Sequence, residues 1–232
     1  MTAAAPVPEV HLYWLTHART AGLRADALSV DEQARLNRFL SPSRRADFLA
    51  GRLLLRFALR TWGLPLEALR WQASGRPSLE VAGCDVSLAH AGGHVVVAVA
   101  RGGRVGVDVE MHHARERSLM DLFFHAEERA WMGESLERLH QLWTVKEAAL
   151  KALGAGLSGN PLRVHVSPMD GHVRMRDVED GCLCRWRHDG VDHSAAAVLL
   201  CPAPPPHPAR FLLHGVAPED LGEDLSSLRN IA

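Results

Sequence analysis

The chain has 232 residues, a formal net charge of −1 and 47% hydrophobic residues, enough for one large or two small domains with a buried core. The balanced charge argues against a nucleic-acid-binding protein, and the longest strongly apolar run, Val95–Ala100, is too short to span a membrane. No charged-then-apolar signal pattern opens the chain, so we expect a cytoplasmic protein. Residues 1–76 carry 11 arginines against 6 acidic residues, which predicts attraction to an acidic partner.

A helical pattern with an arginine stripe occupies the first part of the chain. Arg45, Arg52 and Arg56 recur at seven- and four-residue spacing, which places them on about one face of a helix. The turn Gly75-Arg76-Pro77 then presents another guanidinium, a group suited to binding phosphate through two parallel hydrogen bonds. These segments favour a phosphate-bearing ligand.

Two predicted strands follow, and each carries candidate site residues. The strand that starts at Asp85 places His90 at its end, although a single histidine is more often structural than functional. The alternation in Arg104–Glu110 predicts a short strand with Asp108 and Glu110 on one face. Two adjacent carboxylates repel each other unless they share a proton or a cation. Taken alone, the pair could also line a solvent-facing strand edge.

The only two lysines of the chain, Lys146 and Lys151, lie in a predicted helix that also contains Glu147. Glu147 and Lys151 are four residues apart and share one helix face, which an ordinary surface ion pair would also explain. Together with Asp108 and Glu110, Glu147 completes three hard oxygen ligands. Such a set suits Mg²⁺, which keeps several waters and often binds substrate phosphates as well.

The last part of the chain has two notable patterns. Two cysteines and two histidines between residues 182 and 193 could bind zinc, but the usual two-residue gap between the cysteines is missing. A hairpin of Cys182–Arg187 and His193–Leu200 explains these residues better. Five prolines within residues 202–208 are predicted to end the folded core and lead into an acidic tail.

A similar order of helices and strands occurs twice along the chain. We therefore predict an α+β fold in which two similar α+β halves, residues 1–104 and 105–232, are related by a pseudo-twofold arrangement. Because the candidate site residues come from both halves, we expect the active site in the cleft between them.

Four short motifs, in this order, resemble those of the 4′-phosphopantetheinyl transferases, specifically the long, monomeric type that activates surfactin synthetase. They are Gly75-Arg76-Pro77, Ser87-Leu88-Ala89-His90, Gly106-Val107-Asp108-Val109-Glu110 and Trp143-Thr144-Val145-Lys146-Glu147-Ala148-Ala149-Leu150-Lys151. No single motif is decisive, but their joint order and spacing are. The resemblance implies transfer of the phosphopantetheine arm of coenzyme A to a serine of an acyl or peptidyl carrier protein, with release of adenosine 3′,5′-bisphosphate.

The resemblance also implies roles for individual residues. Asp108, Glu110 and Glu147 would bind Mg²⁺, and Glu147 would also act as the base for the carrier serine. Lys151 would take part in catalysis by neutralising diphosphate charge. The residues that would bind coenzyme A are Arg45, Arg52, Arg76, His90 and Lys151.

Two positions depart from the pattern of this family. Ala89 stands where the family usually has serine, and Ala155 stands where the glycine turn often carries a basic residue. Both changes remove contacts to phosphate, so the affinity for coenzyme A is expected to be modest, whereas the metal ligands are retained.

Two other functions stay open on the sequence. A magnesium-dependent hydrolase of coenzyme A or of a nucleotide diphosphate would use the same ligands with water in place of serine. A carrier-protein-binding module that has lost catalysis would fit Ala89 and Ala155, although all three carboxylates are retained.

Overall fold

The computed structural model describes residues 7–16, 23–113, 121–154, 159–167, 173–175, 182–201 and 209–221. Its helices are α1 (Val30–Asn37), α2 (Pro42–Thr61), α3 (Ala126–Met132) and α4 (Leu136–Leu153). Its strands are β1 (Glu9–Leu15), β2 (Leu69–Trp71), β3 (Pro77–Leu79), β4 (Cys84–Ala91), β5 (His94–Arg101), β6 (Arg104–Met111), β7 (Val164–Val166), β8 (Val173–Met175), β9 (Cys182–Asp189), β10 (His193–Cys201) and β11 (Arg210–Val216). Within these ranges, no helix is long and apolar enough to cross a bilayer.

Two sheets carry the fold. The first has the strand order β11-β1-β5-β4, and the second has the order β6-β10-β9. Neighbouring strands are antiparallel except β1 and β11, which run parallel. Two short ribbons, β2 with β3 and β7 with β8, complete the pairing.

The two sheets share an inner apolar core, and each sheet packs a helix on its other face. Val96 of the first sheet and Val107 of the second belong to the inner core. Helix α2 packs Leu54 against the outer face of the first sheet, and helix α4 packs Leu150 against the outer face of the second. Because β5 is covered on both faces, its sequence is a continuous apolar run and not an alternation.

The ends of the two long helices follow from local sequence signals. Ser41 and Ser135 cap the N-termini of α2 and α4, where their hydroxyl oxygens accept hydrogen bonds from the N–H groups of Arg44 and Arg138. Helix α4 ends at Gly154, which has a φ of 80°, a left-handed conformation that glycine adopts without strain.

The order of elements is repeated. β1, α2, the β2–β3 ribbon, β4 and β5 are matched by β6, α4, the β7–β8 ribbon, β9 and β10. The predicted α+β fold with two similar halves is therefore confirmed, and so is the predicted hairpin, which is formed by β9 and β10.

The prediction that the prolines of residues 202–208 end the folded core is wrong. Strand β11 follows them and pairs along its whole length with β1. The chain thus returns from its second half to the edge of the sheet that belongs to the first half. Residues beyond 221, including the acidic tail, lie outside the described ranges.

Two side chains of β4 accept hydrogen bonds from backbone N–H groups of β6, and these bonds join the two halves. The carboxylate of Asp85 accepts a hydrogen bond from the N–H of Val105 at 2.9 Å, and the hydroxyl of Ser87 accepts one from the N–H of Val107 at 3.1 Å. Ser87 is buried, so water does not compete for its bond. These contacts bring the strand that carries His90 alongside the strand that carries Asp108.

Gly106→Ala is expected to destabilise the protein strongly. A Cβ atom at this position would lie 1.9 Å from the carbonyl oxygen of Ala148 and 2.5 Å from the backbone nitrogen of Ala152. Both atoms belong to the backbone of α4, so the helix would have to move away from β6. We expect a loss of about 3 kcal/mol or more in the free energy of unfolding, measured by urea denaturation.

Gly215→Ala is the matched control, because a Cβ atom there would have no heavy atom within 4 Å. Its effect on unfolding should be small. Equal stability of the two variants would show that α4 does not approach β6 this closely.

Candidate active site

The carboxylates of β6 face helix α4. Val105, Val107 and Val109 point into the inner core, so the alternation of the strand turns Asp108 and Glu110 toward the opposite face. Asp108 is buried, with 7% of its surface exposed. The prediction that the two carboxylates share a face is confirmed, and a helix packs on that face, where Asp108 is buried and Glu110 is half-buried.

Side chains of α4 contact both carboxylates. The ammonium of Lys151 donates to Asp108 Oδ1 at 2.7 Å and to the carbonyl oxygen of Val107 at 3.1 Å. The indole N–H of Trp143 donates to Glu110 Oε1 at 3.1 Å. Lys151 therefore forms its ion pair with Asp108 of strand β6. A surface ion pair with Glu147 on the same helix is not needed to explain why the lysine is there.

Glu147 lies midway between Trp143 and Lys151 on the same stripe of α4 and is 5% exposed. The helix thus holds a third carboxylate, buried like Asp108, on the face that contacts β6. Approach of the two elements depends on Gly106, where no side chain separates them. The three predicted metal ligands are brought to one β6–α4 interface.

The chemistry of these three residues fits Mg²⁺. All their donor atoms are carboxylate oxygens, which a hard cation prefers, and Mg²⁺ needs only one or two of them as direct ligands because it retains several waters. Among the described residues, only His94, Asp192 and His193 form a group whose potential ligand atoms all lie within 4.8 Å of one another. The ligand atoms of the three carboxylates therefore do not all lie within that distance of one another.

The first half contributes His90, on β4, and Arg76, which is bonded to β4, and β4 runs alongside β6. The imidazole Nδ1 of His90 lies 3.7 Å from Oδ2 of the buried Asp47 on α2, and 47% of the His90 side chain is exposed. The guanidinium of Arg76 donates to Asp85 Oδ2 at 3.0 Å. Burial lowers the pKa of Arg76, and Asp85 partly opposes that shift. The same carboxylate therefore fixes both Arg76 and the start of β6.

Arg104 is a second arginine beside Arg76 that the sequence analysis did not single out. A Cβ atom on Gly154 would lie 2.7 Å from Nη2 of Arg104 and 2.8 Å from Nη1 of Arg76. Two guanidiniums therefore flank the C-terminal end of α4, where the carbonyl groups favour positive charge. The only sequence signal for Arg104 is its position at the start of the carboxylate strand.

Arg52 is held inside the first half. Its guanidinium lies 4.3 Å from the ring centre of Phe48 and 3.3 Å from that of Trp71. Its Nε lies 3.2 Å from Glu32 Oε1, and both side chains are buried. Burial lowers the pKa of Arg52 to about 10, against the raising effect of Glu32, so the group is still charged at neutral pH.

Arg45 also has a local partner, since it donates to the carbonyl oxygen of Leu36 at 2.9 Å and so closes the end of α1. Arg45 is nevertheless partly exposed near the start of α2, and the neighbouring Arg44 is exposed. The structure thus places Arg76 and His90 on or beside β4, the strand next to β6, and places Arg45 and Arg52 within the α1–α2 region. Their roles in binding coenzyme A stay predictions.

The second lysine has a structural partner. Lys146 is fully buried and lies 2.9 Å from the carboxylate of Glu128. It also donates to the carbonyl oxygens of Pro161 and Val164. Burial lowers the pKa of Lys146, while Glu128 opposes the shift. Lys146 therefore fixes α4 to its surroundings, and Lys151 is the lysine that reaches the carboxylate of Asp108.

Comparisons with known proteins identify both halves of the chain. The model of the 4′-phosphopantetheinyl transferase superfamily matches residues 104–199, and the model of the 4′-phosphopantetheinyl transferase N-terminal domain matches residues 31–100. These matches define a phosphopantetheinyl transferase fold, and both halves contribute to the site described above.

Two relatives found by sequence agree, and one solved structure shows a weaker likeness. A Synechocystis protein assigned to this transferase class is 32% identical over 170 residues, covering 66% of this chain and 68% of that protein. The 4′-phosphopantetheinyl transferase HetI of Nostoc is 31% identical over 167 residues, covering 65% and 70%. The solved Helicobacter pylori holo-[acyl-carrier-protein] synthase, in complex with coenzyme A, has 16% identity and a TM-score of 0.37, covering 41% of this chain and 98% of that one. The chain belongs to the 4′-phosphopantetheinyl transferase superfamily, in its long type.

Proposed function

We propose that the protein transfers the 4′-phosphopantetheine arm of coenzyme A to a serine of an acyl or peptidyl carrier protein, releasing adenosine 3′,5′-bisphosphate. The observation that carries the proposal is the β6–α4 interface, where Lys151 contacts Asp108 at 2.7 Å beside Glu110 and Glu147. This interface lies within the region that matches the superfamily model.

In the proposed reaction the carrier serine oxygen attacks the β-phosphorus of coenzyme A. The Glu147 carboxylate accepts the hydroxyl proton, because a serine hydroxyl is a poor nucleophile until a base removes that proton. The bond from the β-phosphorus to the bridging oxygen breaks, and adenosine 3′,5′-bisphosphate leaves with the electron pair. The Lys151 ammonium offsets the negative charge of the diphosphate oxygens.

Asp108, Glu110 and Glu147 would hold Mg²⁺, which would supply further charge stabilisation at the diphosphate. His90 and Arg76 would contact the phosphates or the adenine of coenzyme A from the first half. Arg45 and its neighbours at the start of α2 would take the 3′-phosphate. Arg52, buried between two aromatic rings, would support that region through its charge and its packing.

The deciding experiment is the intact mass of an apo carrier protein incubated with this protein, coenzyme A and Mg²⁺. A mass gain equal to one phosphopantetheine arm is expected. Cleavage of coenzyme A without carrier modification would instead indicate the hydrolase, which the transferase names of the relatives do not support. Carrier binding with neither product would indicate a module without catalysis.

We further propose that the protein is a monomer, that it is located in the cytoplasm and that its carrier protein is acidic. Sedimentation of the purified chain tests the first point, because a dimer at micromolar concentration would contradict it. Fractionation of the source cells tests the second.

Transfer to an acidic carrier is expected to weaken as salt rises from low to physiological strength, chiefly through slower association. Arginines 35, 38 and 44 are exposed around the α1–α2 turn and add to the positive charge of this half. Arg38→Gln should therefore reduce the salt dependence. Arg70→Gln is the control, because Arg70 already pairs with Glu80 at 2.6 Å. A carrier affinity that does not change with salt would show that the contact is mainly apolar.

A further inference from the structure

A group of histidines lies at one end of the core between the two sheets. His94 is the first residue of β5, and His193 is the first residue of β10. β5 and β10 are matching strands of the two halves, so these histidines occupy equivalent positions. Each continues the inner-core face of its strand, which includes Val96 in β5 and Ala195 in β10. The centres of the two imidazole rings are 4.4 Å apart.

A carboxylate joins this pair. The potential ligand atoms of His94, Asp192 and His193 all lie within 4.8 Å of one another, and no other group of this kind occurs in the described part of the chain. Asp192 Oδ1 accepts a hydrogen bond from His193 Nδ1 at 2.9 Å. In a neutral imidazole the proton then sits on Nδ1, which leaves the lone pair on Nε2.

His193 Nε2 is buried and makes no hydrogen bond. The whole residue is only 9% exposed. A buried nitrogen lone pair without a partner is costly, and a metal ion is a partner that would satisfy it. A histidine whose other nitrogen donates to a carboxylate is the common arrangement of a metal ligand, since the carboxylate fixes the ring orientation.

The turn before β10 holds the His193 ring in place. A Cβ atom on Gly190 would lie 2.2 Å from Cε1 and 2.7 Å from Nε2 of His193. The backbone N–H of Gly190 also donates to the carbonyl oxygen of His193 at 2.9 Å. The glycine thus leaves room for the ring to lie over the hairpin, so the position of Nε2 is set before any ion binds.

His94 has a hydrogen bond that metal binding would replace. The indole N–H of Trp14 donates to His94 Nδ1 at 3.3 Å. A neutral imidazole has one nitrogen lone pair, so an ion bound at Nδ1 would displace the indole, and an ion bound at Nε2 would require a proton on Nδ1. Either geometry ends the Trp14 hydrogen bond. Trp14 is buried, so its fluorescence should report the change.

We propose that His94 and His193 bind a Zn²⁺ ion, His193 through Nε2 while Asp192 accepts its Nδ1–H, with water completing the coordination, and that this ion links the two halves of the protein. Two imidazoles, one of them oriented by a carboxylate, suit zinc, whereas the all-oxygen set of the active site suits magnesium. The two sites also lie on opposite faces of the second sheet, because Asp108 and Glu110 face α4 and His193 faces the inner core. The zinc site is therefore separate from the proposed transfer reaction and does not depend on it.

This ligand set differs from the zinc pattern considered on the sequence. That pattern joined Cys182 and Cys184, whose side chains lie outside the described residues, with His188 and His193. Of that sequence pattern, only His193 belongs to the site proposed here. The other histidine, His94, comes from the other half of the chain. His188 lies beside the new group, with its ring centre 5.7 Å from that of His193.

The test is titration of the chelator-stripped full chain with ZnCl₂ in the presence of saturating MgCl₂, followed by calorimetry and tryptophan fluorescence. We expect one equivalent of Zn²⁺ to bind and to change the tryptophan emission. His94→Ala and His193→Ala should each weaken this binding at least about tenfold. Trp14→Phe should keep the binding and lose the emission change.

Two controls separate the site from other histidines and from the active site. His214→Ala removes a histidine that is hydrogen-bonded to His11 at 2.9 Å on the first sheet, and it should leave zinc binding unchanged. Asp108→Ala should also leave it unchanged. If His193→Ala does not fold, Asp192→Asn is the substitute, because that side chain is 66% exposed and its replacement spares the core.

Zinc should also raise the melting temperature of the unmutated chain and not that of the ligand variants, because it binds the folded state alone. Retention of full zinc affinity in both His94→Ala and His193→Ala would overturn the proposal. Failure of the unmutated chain to bind zinc would do the same, as would loss of zinc binding in Asp108→Ala alone.

Discussion

Asp108→Ala is expected to abolish carrier modification while leaving the fold intact. Asp108 contributes a carboxylate at the β6–α4 interface and accepts the Lys151 ammonium at 2.7 Å. Its loss would remove a proposed metal ligand and misplace the cation beside the diphosphate. Such a ligand supplies several kcal/mol of transition-state stabilisation, so kcat/KM should fall by about a thousandfold or more.

Two measurements make this result specific. Circular dichroism and thermal unfolding establish that the variant is folded, and Asp108→Asn serves as a second variant that keeps the shape of the side chain. Rates must be measured at several Mg²⁺ concentrations, since weakened metal binding can be compensated by excess metal. Near-normal turnover of Asp108→Ala at saturating Mg²⁺ would remove Asp108 from the metal site.

The carboxylate site could be predicted because its signals are local. The two-residue period of a strand places Asp108 and Glu110 together, and the helical period places Glu147 and Lys151 together. The residue pattern alone could not separate the roles of the two lysines, although the family resemblance assigned the site role to Lys151. They lie five residues apart in one helix, and only packing shows that Lys146 meets the buried Glu128 whereas Lys151 meets Asp108.

The arginine stripe shows the limit of local reasoning. The spacing of Arg52 and Arg56 on one helix face was recognisable, and both guanidiniums contact the carboxylate of Glu32. That partner lies in the preceding helix, and Trp71 comes from β2, so neither could be inferred from the period of α2. A stripe of charges that suggests a ligand site can also be satisfied within the fold.

Two further features, the position of strand β11 and the proximity of His94 to His193, depend on long-range contacts and could not be predicted from the sequence. Strand β11 is separated from the rest of the second half by the proline segment, and its parallel partner β1 lies at the other end of the chain. His94 and His193 come together only because two matching strands start at the same end of the inner core. Neither arrangement leaves a spacing signal in the sequence, because both depend on how the two sheets meet.

Glu147→Gln should lower turnover far more than it lowers the binding of coenzyme A. Gln keeps the size of the side chain and one carbonyl oxygen for the metal, but it cannot take the proton of the carrier serine. Loss of a general base typically costs a factor of about 100 to 10,000 in rate. Glu137→Gln is the control on the same helix, because Glu137 is exposed and hydrogen-bonds to Gln141.

Lys151→Ala should behave differently, because the charge of Lys151 acts on phosphates that are already present in the bound substrate. Its removal should weaken coenzyme A binding as well as turnover. It would also leave the buried Asp108 without its contact at 2.7 Å, so unfolding must be measured beside the rates. Calorimetry of coenzyme A binding with Mg²⁺, combined with carrier-modification rates, compares the two variants directly. If Glu147→Gln turned over as fast as the unmutated enzyme, Glu147 would be neither the base nor an essential ligand, and a structural role in packing α4 against β6 would remain.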